Sequence, residues 1–195
     1  NLFSYAAVVA VSKDSPFAKA GLLTGDRVTK INDTEIITFR DLQAALQKII
    51  ITSDPKSSTA IVVKIARNEM DPKTKAEKDF TISNLVLNKT MTLDSLGLES
   101  TQLYVDRVMP DSPALLAGIK KGDRIVSING QKLSVWEDIL NTVKSFGGSG
   151  KLSLIVNRDQ ESIALDVIPN MTTHMTAHGT EEKRYTIGIS PYLMY

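Results

Sequence analysis

Apolar positions along the chain follow two periods. Trp136, Ile139, Leu140, Val143 and Phe146 recur at intervals of three and four, the spacing of a helix with one apolar face. Ser134, with Glu137 three residues on, reads as a capping box at its start, and Gly147-Gly148 as its stop. Phe39, Leu42, Leu46 and Ile49 make a second such face, opened by Thr38 and Asp41. Between these helices lie short runs of β-branched and aromatic residues that predict strands. They include Val8, Val9 and Val11, then Tyr104, Val105 and Val108. Further strands are expected at Ala60–Ala66 and Phe80–Ser83, and at Leu152–Asn157 and Ser162–Ile168.

The polar punctuation repeats. "DSPFAKAGLLTGDRVTKIND" begins at Asp14, and "DSPALLAGIKKGDRIVSING" at Asp111. Val11–Asn32 aligns with Val108–Asn129 at a shift of 97, without a gap and with 11 identities in 22 positions. Such a period is too long for a solenoid unit and suits a small domain. Within each copy, Ser15 or Ser112 can cap a short helix whose first residue is Pro16 or Pro113. Gly21 or Gly118 ends it. Gly25-Asp26 and Gly122-Asp123 turn the chain into a strand. Asn129-Gly130 is a strong hairpin turn, and Asn32-Asp33 a weaker version of it. The chain therefore predicts two similar α+β domains in tandem, at residues 1–99 and 100–195.

Composition removes several function classes. The 195 residues carry a net charge of +1, so nothing points to a nucleic-acid surface. With no cysteine there are neither disulfides nor thiolate metal sites. The apolar start "NLFSYAAVVAVSK" is too short for a membrane span and is expected to be a strand.

The repeated "DSPxxxAGxxxGDRΦxxIN" string (Φ, apolar), the helix after it and two short xΦGΦ segments together resemble the PDZ domain. The segments are Ser95-Leu96-Gly97-Leu98 and Thr186-Ile187-Gly188-Ile189. The resemblance implies a small partly open β-barrel or sandwich with one short and one longer helix per domain. It also implies that xΦGΦ holds the terminal carboxylate of a peptide, since glycine lets successive N–H groups face one anion. Two segments for two domains favour an arrangement in which each domain carries this strand last. A strand exchanged between the domains is the alternative. The groove would lie between that strand and the longer helix. Its lining is expected from Ser95, Leu96, Gly97 and Leu98 with Leu42 and Leu46 in the first domain. In the second it is expected from Thr186, Ile187, Gly188 and Ile189 with Ile139 and Val143. The two glycines are expected to serve the ligand, because core packing gives no reason for them.

Permuted PDZ domains in tandem resemble the extracytoplasmic region of bacterial site-2-type proteases, zinc enzymes embedded in the membrane. The resemblance implies a periplasmic regulatory module without catalytic residues or cofactor of its own, the zinc belonging to the parent protease core. Its partners would be protein substrates or peptide C-termini and that membrane core, not nucleic acid. A soluble serine protease of the high-temperature-requirement type, or a free-standing periplasmic scaffold, are the alternatives. Other candidate chemistry is weaker. His174 and His178, in "PNMTTHMTAHGT", have H-x-x-x-H spacing but no third ligand, and the stretch is expected to be a solvated connection. "GGSGK", at Gly147–Lys151, lacks phosphate-loop spacing. "DPKTKAEKD", at Asp71–Asp79, reads as a solvated hairpin tip, and Asn68–Asp79 and Asn84–Asp94 as long connections. For Asp26/Arg27 and Asp123/Arg124 the turn itself is sufficient explanation. The connection Glu99–Gln102 is short and holds neither Gly nor Pro, which predicts a restricted pair of domains.

Overall fold

The computed structural model describes residues 6–68 and 76–192. The chain divides into two compact units, one ending at Thr101 and the other spanning Gln102–Tyr192. The hairpin tip expected around Asp71 falls largely outside the described residues.

The first unit runs β1 (Val9–Val11), α1 (Pro16–Ala20), β2 (Arg27–Ile31), β3 (Thr34–Glu35), α2 (Phe39–Thr52), β4 (Thr59–Asn68), β5 (Glu77–Leu87), α3 (Leu93–Leu96) and β6 (Leu98–Ser100). The second runs β7 (Val105–Val108), α4 (Pro113–Ala117), β8 (Arg124–Ile128), β9 (Gln131–Lys132), α5 (Trp136–Lys144), β10 (Leu152–Arg158), β11 (Glu161–Val167), β12 (Asn170–Met175), β13 (Glu181–Thr186) and β14 (Ile189–Pro191). Each contains one four-stranded antiparallel sheet, ordered β3-β2-β4-β5 or β9-β8-β10-β11, and one two-stranded sheet, β1-β6 or β7-β14. The second unit adds the ribbon β12-β13.

The repeated string builds the same local structure twice. Ser15 Oγ accepts from Ala18 N at 3.2 Å and Ser112 Oγ from Leu115 N at 3.2 Å, capping α1 and α4. Proline opens each helix, and a left-handed glycine, Gly21 or Gly118, closes it. Asn32 and Asn129 both adopt positive φ. Their side-chain oxygens accept from Val62 N and Ser153 N at 2.8 Å, so each asparagine ties the β2 or β8 turn to the next strand.

The longer helices pack their apolar face on the sheet. Leu42, Leu46 and Ile50 are buried along α2, and Trp136, Ile139 and Val143 along α5. Each fully buried aliphatic side chain contributes about 1.5–3 kcal/mol. Leu140, expected on that face, is 46% exposed, and Phe146 lies beyond the end of α5. The helix stops at Lys144, so the apolar spacing overran it by half a turn.

The start of α5 also differs from expectation. Its N-cap is Val135, not Ser134, and the carboxylate that reaches back is that of Asp138, not Glu137. Asp138 Oδ2 accepts from Ser134 N at 2.9 Å and Val135 N at 3.1 Å. This is the place that Thr38 and Asp41 hold in α2, where Thr38 Oγ1 also accepts from Asp41 N at 3.1 Å. There the Thr38 and Ile37 amides hold the Asp41 carboxyl below its ordinary range. Valine offers no oxygen, so α5 has half a capping box. Val135→Thr is therefore expected to raise stability by about 0.5–1 kcal/mol. An unchanged denaturation midpoint would count against this reading.

Two expected loops are strands. The stretch from Asn170 to Thr186 is the antiparallel ribbon β12-β13, with Met171 opposite Tyr185 and His174 opposite Glu182. Its sequence alternates polar with polar, so it carries no period-two apolar signal. Likewise β5 continues through Asn84 to Leu87, and α3 follows after five intervening residues.

Candidate peptide-binding site

In each unit the last strand pairs antiparallel with the first. Val11 faces Leu98 in β1-β6, and Val108 faces Ile189 in β7-β14. Just before the ladder, Ser12 N donates to Gly97 O and Met109 N to Gly188 O, both at 2.8 Å. Backbone groups alternate sides along an antiparallel strand. Those of Leu98 and Ile189 therefore point away from the partner strand, toward an edge that no described strand covers. An extended segment could add there.

The glycines have a packing cause that the sequence did not reveal. Gly97 has φ +76° and Gly188 φ +82°. A Cβ on Gly97 would lie 2.2 Å from Ser15 Cβ, and one on Gly188 2.4 Å from Ser112 Cβ. The xΦGΦ turn is pressed against the capping serine of the short helix. This corrects the expectation that core packing gives no reason for these glycines.

The two segments differ in conformation. In the first unit, Ser95 and Leu96 belong to α3, a one-turn helix with Gly97 as its left-handed C-cap. Thr92 and Ser95 form its capping box: Ser95 N donates to Thr92 Oγ1 at 3.2 Å, and Thr92 N to Ser95 Oγ at 2.9 Å. Leu96 N bonds Thr92 O and Gly97 N bonds Asp94 O, each at 3.2 Å. Leu42, Leu46, Leu96 and Leu98 do come together, with Phe39, Gln43 and Leu93, around a cleft of about 20 Å³. That is room for about one water molecule.

In the second unit, Thr186 ends β13 and no helix precedes Ile187. Ile187 O accepts from Ala114 N at 2.9 Å. The N–H groups of Ile187 and Gly188 donate to no atom among the described residues. Ile139 and Val143 are buried in α5, and Ile187 is 3% exposed. Where α3 leans on α2 in the first unit, β13 leans on the end of α5 in the second. There the Phe146 and Tyr185 rings meet edge to face, centroids 5.2 Å apart. A polar depression of about 520 Å³ near Asn129, Asn141 and Lys151 contains none of the expected groove residues.

Both units share a buried ion pair that sequence reasoning did not find. Asp26 and Asp123 are 1% and 0% exposed. Arg67 grips Asp26 with Nε at 2.8 Å and Nη2 at 2.9 Å, and Arg158 grips Asp123 with both at 2.8 Å. The same guanidiniums bond Gly21 O and Gly118 O, and Leu23 N and Lys120 N bond the carboxylates. The turn alone is thus not the reason for these aspartates. Arg27 turns outward to Glu77, at 2.6 Å.

Comparisons with known proteins agree with this architecture. Two sequence families, each described as PDZ domain, match residues 8–65 and 80–157. The second match starts in β5 and so takes in Leu96–Leu98 ahead of the second repeat, whereas in the fold Leu98 pairs with Val11 of its own unit. A Brucella suis protein named as a zinc metalloprotease is 34% identical over 93 residues, 48% of this chain and 24% of that protein. A Mesorhizobium japonicum protein named in the same way is 30% identical over 49% of this chain and 26% of its own length. A Bartonella henselae protein named as a DegP-like periplasmic serine endoprotease is 28% identical over 72% of this chain and 30% of that protein. The chain thus spans less than a third of the length of these relatives. Paired sheets, capped short helix, xΦGΦ turn and both family matches together make this chain a tandem of two PDZ domains.

Proposed function

We propose that this tandem is the extracytoplasmic peptide-binding and gating region of a membrane-bound zinc metalloprotease of the site-2 type. The observation that carries this reading is the position of the xΦGΦ turn, which closes each unit and pairs with the strand that opens it. The likeness to proteins named as zinc metalloproteases supports it further. The domains would screen substrates, gripping a C-terminus or excluding bulky chains, and two linked sites would hold one partner at high effective concentration. Catalysis and zinc would belong to the membrane core of the parent polypeptide. A second reading, the PDZ region of a soluble serine protease, draws support from DegP-like relatives that match 72–77% of this chain.

The parent reading frame distinguishes them. An HExxH in an apolar segment upstream, with an Asp-Gly-containing span downstream, is expected for the first reading, and a serine protease domain upstream sinks it. For the domains themselves, peptides with apolar C-termini are expected to bind as free acids. Amidation should weaken binding at least about tenfold, since hydrogen bonds to a charged acceptor contribute about 1.5–3 kcal/mol each. Equal affinity of acid and amide would remove the carboxylate grip.

A further inference from the structure

We infer that the two PDZ domains are not equivalent: the second alone receives a free C-terminal carboxylate, and the first is closed by its own capping box. This rests on the peptide-binding reading and assigns it to one site.

The inference follows from where the backbone donors go. A carboxylate on an xΦGΦ turn needs N–H groups with no other partner. In the first domain, Ser95, Leu96 and Gly97 spend theirs on Thr92 Oγ1, Thr92 O and Asp94 O. The box is reciprocal, so freeing Ser95 N also deprives Ser95 Oγ of the Thr92 amide. The apolar side is shut as well. Leu93 and Leu96 of α3 lie against Leu42 and Leu46, leaving about 20 Å³, too little for any side chain beyond a water-sized group. A ligand would have to unwind α3 and lift Leu96, which is fully buried.

The second domain reaches its glycine by a different route. Gly188 stands 30 positions after Arg158, as Gly97 stands 30 after Arg67, but the intervening chain forms a ribbon in place of a strand and a helical turn. Strand β13 arrives extended, so no i→i−3 or i→i−4 bond consumes the following amides. Ile187 and Gly188 have their carbonyls engaged by Ala114 and Met109, and their N–H groups engaged by nothing in the described residues. Ile187 is 3% exposed and Gly188 is partly buried, and backbone donors withdrawn from water rarely stay unpaired. Two adjacent unengaged donors, the second on the left-handed Gly188 and both continuous with the open edge of Ile189, have the form of a backbone anion cradle. They offer donors only, which selects a carboxylate over a cation, and the open edge selects an extended peptide to carry it.

The test uses the intact chain, isotope-labelled, titrated with a pool of acetylated heptapeptides ending in Ala, Val, Leu, Ile or Phe, each as free acid and as amide. Expected are one peptide per chain, amide shifts at Ile187, Gly188 and Ile189, none at Ser95, Leu96 and Gly97, and at least tenfold weaker binding of the amides. Two peptides per chain, or shifts centred on Ser95–Gly97, would overturn the non-equivalence while leaving the peptide-binding reading intact. No acid binding at either turn would overturn both.

Discussion

Replacing Arg158 with Met is expected to lower the stability of the second domain by about 3–5 kcal/mol. Trp136 is the only tryptophan and is buried in α5, so its fluorescence reports on the domain that contains the substitution. The size follows from the asymmetry of the pair. Arg158 keeps part of its side chain in solvent, whereas the Asp123 carboxylate has none of its surface exposed. Losing the guanidinium leaves a buried carboxylate with Lys120 N as its one remaining side-chain-directed donor among the described residues, and it also strips Gly118 O of a partner at 2.8 Å. Bidentate bonding to a desolvated carboxylate also holds the guanidinium above its ordinary pKa, so the cation is present at every working pH. The reverse change, Asp123→Leu, leaves an arginine that can still reach water and is expected to cost less. Combining Asp123→Leu with Arg158→Met removes the stranded charge and should recover much of the loss, because a buried pair as a whole contributes little net stability. A single Arg158→Met loss below about 1 kcal/mol would show that the pair is not a structural tie.

This pair marks the limit of what the repeat made legible. The ungapped shift of 97 held from Val11 through Leu42, and every local device in that stretch was readable: serine cap, proline, stop glycine, tight turn, strand, asparagine turn. These are decisions of four or five residues, governed by backbone conformation and nearby bonds. The arginines lie past the helix, where the shift is 91, because α5 is shorter than α2. An alignment without gaps therefore never set Arg67 beside Arg158. What remained hidden was long-range: which strand end answers Asp26, which serine crowds Gly97, which turn absorbs the Ser95 amide. Thr92 carried a readable signal, since Thr92 with Ser95 three residues on has the spacing of a cap. The ribbon β12-β13 carried none, because both of its faces are largely wet and its apolar residues Met171 and Met175 are themselves exposed. Of the expected groove residues, Leu42, Leu46, Leu96 and Leu98 do meet, so this apolar cluster was legible even though the small size of the cleft between them was not.

Gly188→Ala is expected to cost on the order of 3 kcal/mol, from a strained φ and from overpacking of about 1–3 kcal/mol. Gly130→Ala separates the two causes. Its φ of +79° is nearly the same as the +82° of Gly188, yet a Cβ there would meet nothing within 4 Å. It should cost only about 1 kcal/mol, the conformational part alone. The difference belongs to Ser112, whose Cβ would stand 2.4 Å from the new methyl. Ser112→Gly makes room while keeping an acceptable N-cap, since glycine there costs only a few tenths of a kcal/mol relative to serine. It also gives up the bond from Ser112 Oγ to Met109 O at 2.7 Å. Placed on the Gly188→Ala background, Ser112→Gly is expected to restore about 1–2 kcal/mol, although alone it destabilises. The Trp136 unfolding midpoint measures all four proteins. Additive costs, with no rescue, would show that the crowding is relieved by backbone movement instead. The outcome bears on function as well as on packing. If rescue is seen, a glycine substitution that abolishes peptide binding is no evidence for a carboxylate site, because it first displaces the turn from α4. The binding question then belongs to the ligand's terminus, acid against amide, with every residue of the turn left in place.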